Sequence, residues 1–122
     1  MVGEIWTYKA TKPSDDLEKI RPVLIIGNDS SNIIQFIDIH YVIISSSAEC
    51  GLYDVELSLC EAQKVGLDRK SVIKTTKIYT GPKSKLGKKI GVLPEDILVE
   101  FKKKYQSYQY ELINKMNIYE YE

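Results

Sequence analysis

The hydrophobic pattern of this 122-residue chain changes its period at Pro94. Before Pro94 the apolar segments are short and separated by turn residues, which is typical of β-strands. After it, apolar residues recur on one face of a helix, with Glu95 and Asp96 where the helix dipole favours acids. These apolar residues are Ile97, Leu98, Phe101, Tyr105, Tyr108 and Leu112. The pattern predicts a mainly β protein of the α+β class, with about five or six short strands in a curled sheet or barrel and one terminal helix.

The boundaries of the strands follow from apolar runs and turn residues. A short helical turn is predicted over 61–64, ending at Gly66, and Gly81-Pro82 is expected to end the last of these strands. The run from Val23 to Ile26 carries no polar residue, so its strand is expected to be buried on both faces. We see no repeat and no linker, which predicts a single domain over 1–122 with a frayed tail at 114–122. The predicted strands cover 3–9, 22–26, 33–46, 53–59 and 71–79.

Composition excludes several classes of protein. The formal net charge is zero, so the chain as a whole does not attract a polyanion and nucleic-acid binding must come from a local patch. Cys50 and Cys60 do not form a C-x-x-C pair, and with one histidine they cannot build a four-ligand zinc site. We therefore expect no metal and no cofactor. No apolar run approaches the length of a membrane span, so a soluble cytoplasmic protein with reduced thiols is the default expectation.

A hydrolase triad on the third predicted strand is excluded by spacing. Asp38, His40 and Ser46 share one face by parity, but His40 and Ser46 would lie about 20 Å apart at roughly 3.3 Å per residue. A nucleophile and its base need contact at about 3 Å. His40 is therefore expected to be a structural or surface residue.

Arg21 is the most informative single residue. The chain has two arginines, Arg21 and Arg69, against fifteen lysines. Arg21 stands directly before Pro22, at the start of the buried strand, and a guanidinium offers a rigid fork of donors that fits a phosphate. The alternative is an ion pair with an acid of the preceding loop, namely Asp15, Asp16 or Glu18.

Several motifs in order resemble the MazF/PemK family of toxins. They are G-E-I-W at 3–6, R-P-V-L-I-I-x-N-D at 21–29, G-L-D-R-K-S-V at 66–72 and L-G-K-K-I-G-V-L-P-E-D-I-L at 86–98. The resemblance implies an SH3-like small β-barrel of the MazF/CcdB type with a C-terminal helix. It also implies a homodimeric toxin of a toxin–antitoxin pair, blocked by a cognate antitoxin protein. Such toxins cut single-stranded RNA without metal and leave 2′,3′-cyclic phosphate and 5′-hydroxyl ends.

The resemblance also implies the catalytic residues. Arg21 occupies the position of the catalytic arginine, and Ser45 falls where the family usually has threonine. Asp16 falls where the family has glutamate, although the glycines usual in that loop are replaced by Ser14, Glu18 and Lys19. The general base stays open at this stage.

We assign a further set of residues to RNA binding. Trp6 either offers a stacking face to a base or belongs to the core or an interface. Lys77 and Tyr79 either contact phosphate and base or lie on a solvated strand. Gly81-Pro82 departs from the polar pair common in the family, so the cut-site preference does not transfer. The RNA-binding set is Trp6, Glu18, Lys19, Ser46, Lys77 and Tyr79.

Two other functions stay open from the sequence. A toxin of the CcdB type would share the barrel but poison gyrase, and would need no arginine–serine pair. An inactive relative would bind without cutting.

Overall fold

The computed structural model describes residues 1–10, 19–28 and 38–116. The strands are β1 (Glu4–Ala10), β2 (Lys19–Asn28), β3 (Asp38–Ser45), β4 (Val55–Leu57), β5 (Ser71–Pro82) and β6 (Leu86–Val92). The helices are α1 (Leu59–Lys64) and α2 (Glu95–Met116), and one 3-10 turn (Lys83–Lys85) precedes β6.

The six strands form one antiparallel sheet in the order β4-β5-β3-β2-β1-β6. The mainly β class with a long C-terminal helix is therefore confirmed. The strand β6 was not predicted individually, because its two glycines and two lysines hide the alternation of a half-buried strand.

The central strands β2 and β3 are buried on both faces, as expected for the apolar run. Leu24 of β2 belongs to the main hydrophobic core, which includes Ile97 and Phe101 of α2. Its neighbours Val23 and Ile25 belong to a second cluster on the other side of the strand. Because successive side chains of a strand point to opposite faces, both faces of the sheet centre are filled.

The turn after α1 connects the two ends of the sheet. Ser58 caps α1 through a capping box with Glu61. Gly66 then adopts a left-handed φ of +88°, as predicted for the end of this helix. A Cβ atom at Gly66 would lie 2.7 Å from the side chain and carbonyl of Ile90 in β6. The turn after α1 thus packs directly against the edge strand opposite β4, which keeps the sheet curled.

Two predicted boundaries were wrong. The strand predicted over 53–59 is limited to Val55–Leu57, because Ser58 caps a helix that starts at Leu59. Gly81-Pro82 does not end the previous strand, since Gly81 and Pro82 pair with Ile39 and Asp38 of β3. Proline is tolerated there because it is the last residue of β5. The predicted residues 33–37 lie outside the described residues.

The terminal helix is confirmed from Glu95 to Met116, with Ile97 and Phe101 buried. It therefore extends three residues, 114–116, into the segment predicted as a frayed tail, and 117–122 lie outside the described residues. Within the described ranges, no helix is long and apolar enough to cross a membrane.

Candidate active site

A cleft of about 440 Å³ opens where β2 begins and β3 ends. It brings together three predicted site residues: Arg21 of β2, Ser45 at the end of β3, and Ser46 directly after it. The cleft is lined by Ile20, Arg21, Pro22, Ile43, Ile44, Ser45, Ser46, Ser47, Gly66, Leu67, Asp68, Arg69, Ser71 and Ile90.

Strand register explains why Arg21 and Ser45 meet. Val23 pairs with Ile43 in the antiparallel β2–β3 ladder. Continuing this register by two residues places Arg21 opposite Ser45, and parity puts both side chains on the side of Val23 and Ile43. The Cβ atoms of directly opposed residues in such a ladder lie about 4.5–5.5 Å apart. A guanidinium and a hydroxyl thus face the same small volume.

Arg21 is held by the sheet along its base. On the side of β2 away from β3, Arg21 pairs with Tyr8 of β1. The residue as a whole is half-buried, and its Nε atom is fully buried. The acids of the alternative ion pair, Asp15, Asp16 and Glu18, lie outside the described residues. The alternative therefore stays open, as does the predicted catalytic role of Asp16.

The hydroxyl of Ser45 is oriented by the chain that follows it. Its Oγ accepts hydrogen bonds from the backbone N–H of Ala48 at 3.1 Å and of Ser47 at 3.3 Å. The Ser47 hydroxyl lies 3.5 Å away. A serine oxygen has two acceptor positions and one proton. With both acceptor positions engaged by N–H groups, the Ser45 proton is left for donation, either along the long contact to the Ser47 hydroxyl or to an acceptor that enters the cleft.

Three tyrosines form a row across β1, β3 and β5. The rings of Tyr8 and Tyr41 have centroids 4.5 Å apart, and the ring of Tyr79 stacks on Tyr41 at 5.7 Å. Burial raises the pKa of Tyr8 to about 12, and it also raises the pKa of Tyr41. Tyr79 is 36% exposed at the open end of the row. The row therefore presents one aromatic face to solvent on a rigid base.

Of the other predicted RNA-binding residues, those that the structure describes do not line the cleft. Trp6 is half-buried, packs against the second hydrophobic cluster and donates from Nε1 to Glu4 at 2.9 Å. This hydrogen bond is the main cause of a lowered pKa at Glu4. Lys19 and Lys77 are exposed. Glu18 lies outside the described residues.

The cleft also contains residues that were not predicted as functional, notably Ser47, Asp68 and Arg69. They come from the segment after β3 and the turn before β5, which are distant in sequence from Arg21. The one signal in the sequence was that Arg69 is the second of only two arginines. His40 is not part of the cleft, and its Nδ1 lies 3.1 Å from the Thr80 hydroxyl.

The described parts of the chain offer no candidate metal centre. No group of three or more His, Cys, Asp or Glu residues there is arranged to hold an ion. Cys50 and Cys60 are both exposed free thiols.

Comparison with known protein families identifies one family that matches most of the chain. Residues 1–107 match the family described as PemK-like, MazF-like toxin of type II toxin-antitoxin system. No curated protein matches the chain.

Solved structures share the fold at low sequence identity. An endoribonuclease from mycobacterial species, in complex with its cognate antitoxin, has a TM-score of 0.66 and 14% identity, covering 88% of this chain and 91% of that chain. The Mycobacterium tuberculosis toxin MazF-mt6 has a TM-score of 0.60 and 19% identity, covering 84% and 93% respectively. Another mycobacterial endoribonuclease has a TM-score of 0.64 and 15% identity, covering 88% of each chain.

Proposed function

Because the chain belongs to the PemK-like, MazF-like toxins of type II toxin–antitoxin systems, we propose that it is a metal-independent endoribonuclease that cuts single-stranded RNA. The observation that carries the proposal is that Arg21 and Ser45 line one cleft, as the register of β2 and β3 implies when it is continued beyond the Val23–Ile43 pair. A guanidinium beside a hydroxyl donor is an arrangement suited to a phosphate, since both groups donate hydrogen bonds to its oxygens.

The reaction needs no attacking group from the protein. The 2′-oxygen of the RNA forms a bond to the adjacent phosphorus while the bond from phosphorus to the 5′-oxygen breaks. The 2′-hydroxyl proton goes to a base and the leaving 5′-oxygen gains a proton. The products are a 2′,3′-cyclic phosphate and a 5′-hydroxyl.

Arg21 and Ser45 act on the phosphate in this scheme. Negative charge builds on the non-bridging oxygens in the transition state, and Arg21 stabilises that charge from a base fixed in the sheet. The Ser45 proton is donated to one of the same oxygens, because the Ser45 oxygen is already held by the N–H groups of Ser47 and Ala48. Fixed donors of this kind need little reorganisation as the charge develops.

Asp16 is proposed as the carboxylate partner of this pair. It stands five residues before Arg21, at the position where the family has glutamate. A carboxylate there would accept the 2′-hydroxyl proton or orient the guanidinium, and Asp16→Asn followed by a pH–rate profile distinguishes the two roles. Loss of the acidic limb in that profile supports the general base.

RNA outside the scissile phosphate is proposed to contact the predicted binding set. The exposed face of Tyr79 stacks on a base, because the Tyr41 ring beneath it holds it in place. The exposed amines of Lys19 and Lys77 and the hydroxyl of Ser46 bind the backbone, with Glu18 beside Lys19 in sequence. Trp6 is half-buried, so only part of its ring is available to stack on a base.

We further propose a cytoplasmic homodimer that a cognate antitoxin inhibits. A neutral chain gains a larger positive surface when two copies bring their Arg21 residues onto one face. An apolar cleft between Val2, β2 and α2, about 330 Å³ in volume, and the exposed side chains of Tyr110 and Ile113 give apolar surface for association. Sedimentation at micromolar concentration should show a dimer, and monomer alone would contradict this.

The decisive experiment incubates the purified protein with a long single-stranded RNA in EDTA. Discrete fragments whose 5′ ends are labelled by polynucleotide kinase without prior phosphatase treatment support the proposal. The Arg21→Ala variant, prepared in parallel, is the control for contaminating ribonuclease. Intact RNA together with gyrase-dependent DNA breaks would instead indicate a CcdB-like toxin, and neither activity would indicate an inactive relative.

A further inference from the structure

Both arginines of the chain line the same cleft. Arg21 comes from the start of β2, and Arg69 comes from the turn between α1 and β5, 48 residues later in the sequence. Among the residues that the structure describes, no lysine lines this cleft. The cleft therefore holds both of the side chains whose fork geometry is best suited to a phosphate.

The turn that carries Arg69 is fixed at both ends. At one end, Gly66 lies directly against Ile90 of β6, and the backbone N–H of Leu67 donates to the Ala62 carbonyl at 2.9 Å. At the other end, the Ser71 hydroxyl donates to the carbonyl of Arg69 at 2.8 Å. Arg69 thus projects from a backbone of fixed position, which lowers the entropy cost of binding a ligand.

Other cations close to Arg69 in sequence are engaged in ion pairs. Lys70 pairs with Glu56, and Lys74 pairs with the buried Asp54 at 2.6 Å. Across the described residues, Arg69 makes no ion pair with an acidic side chain. It also begins a segment, 69–94, that contains eight lysines and arginines and no acid.

From this arrangement we propose that Arg69 forms a second phosphate subsite, which binds the RNA phosphate next to the scissile one. The proposal rests on the proposed ribonuclease function and specifies how its cleft holds substrate. Arg69 binds in the ground state and in the transition state alike, so its contribution is to substrate affinity.

A single strand of RNA fits this cleft better than an acidic peptide does. Asp68 lines the cleft beside Arg69, and its carboxylate repels an acidic side chain. A nucleotide offers both partners, since its phosphate accepts from arginine while its 2′-hydroxyl and base amino groups donate to a carboxylate.

The test compares Arg69→Gln with Lys64→Gln in the full-length protein. Lys64 lies on the last turn of α1, is exposed, and does not line the cleft, so it is a control for the loss of one positive charge. We expect Arg69→Gln to raise KM about tenfold, the loss typical of one hydrogen bond to a charged group. The value of kcat and the melting temperature should stay near those of the wild type, and Lys64→Gln should match the wild type in all three.

Binding to a fully 2′-O-methylated RNA, which cannot be cut, gives a second readout. The slope of log K against log salt should fall by about 0.7 in Arg69→Gln, the value for one phosphate contact on a single strand. Arg69→Lys should keep the wild-type slope, because the charge is retained, while binding more weakly.

The outcomes separate the inference from the function on which it rests. If the wild type cuts RNA and Arg69→Gln behaves like Lys64→Gln, the subsite is refuted and the ribonuclease stands. If the wild type neither cuts nor binds RNA, the ribonuclease proposal fails and the subsite fails with it. If both Arg69 variants lose binding and melting temperature together, Arg69 is structural and the subsite is refuted. Weaker binding of a Glu/Asp-rich peptide, with RNA binding unchanged, would assign Arg69 to a protein partner instead.

Discussion

Replacement of Ser45 tests the proposed chemistry most directly, because its effects on rate and on stability differ in size. Ser45→Ala removes the proton donor to the phosphate, and loss of one such preorganised donor costs about 10²–10³ in rate. It also removes the acceptor for the N–H groups of Ser47 and Ala48. The Ser47 N–H is exposed, so water can replace its lost acceptor, whereas the Ala48 N–H is only partly exposed.

The stability cost of Ser45→Ala should therefore be small. Net contributions of about 0.5–1.5 kcal/mol are typical of a hydrogen bond, and a loss of 1 kcal/mol lowers the melting temperature of a domain of this size by about 2–8 °C. The protein should stay folded at assay temperature, so the fall in rate can be measured on native enzyme.

Two further variants complete the assay. Ser45→Thr keeps the hydroxyl and introduces a β-branched residue that suits a strand, so it should cut at or near the wild-type rate. Ser46→Ala removes the neighbouring exposed hydroxyl of the same cleft and should raise KM with little effect on kcat. Initial rates on single-stranded RNA and thermal melts of all three variants test the role of Ser45. Equal rates for Ser45→Ala and the wild type would refute the role of Ser45, and a larger loss in Ser46→Ala would transfer it to Ser46.

Three other predictions concern Arg21, Gly66 and Tyr8. Arg21→Ala should lower the cleavage rate by about 10²–10³ with a small change in melting temperature. Arg21→Lys should restore only part of the rate, because lysine lacks the forked donors of a guanidinium. A strongly lowered melting temperature with an unchanged rate would favour a purely structural ion pair. Gly66→Ala should destabilise the protein by at least about 1–2 kcal/mol in a denaturant titration, since φ is +88° and the new Cβ would lie 2.7 Å from Ile90; unchanged stability would show that the turn gives way. Burial raises the pKa of Tyr8 to about 12, so its contribution to the free energy of unfolding is intact below pH 10 and is lost as pH rises towards 12. Between pH 10 and 12 the melting temperature should therefore fall less steeply in Tyr8→Phe than in the wild type. Equal slopes would contradict this role of Tyr8.

Local sequence was sufficient for the elements whose own residues determine them. The helix α2 follows from apolar spacing after Pro94 and was predicted with its start nearly correct. The run of β2 predicted a strand buried on both faces, because an uninterrupted apolar segment has no face to present to water. Gly66 ends α1 as predicted, since glycine adopts the left-handed conformation without strain.

Pairing partners decided the boundaries that local sequence placed wrongly. Gly81-Pro82 has the composition of a turn, yet it continues β5 because β3 lies alongside and because a glycine at 81 leaves room for the Tyr8 hydroxyl. The strand β6 depends similarly on β1, which supplies its hydrogen bonds. These contacts join residues more than 40 positions apart, so a pattern read over neighbouring residues does not contain them.

The same distinction between local sequence and tertiary structure applies to the residues of the cleft. The sequence identified Arg21 from its position before a buried strand, and the family resemblance identified Ser45. Their meeting depends on the β2–β3 register, since a slip of one residue would turn each side chain to the other face. Arg69 enters the cleft only because the turn at Gly66 packs against Ile90 of the opposite edge strand. The sequence thus determined which residues are chemically suited to a phosphate, and the curl of the sheet decided which of them lie together.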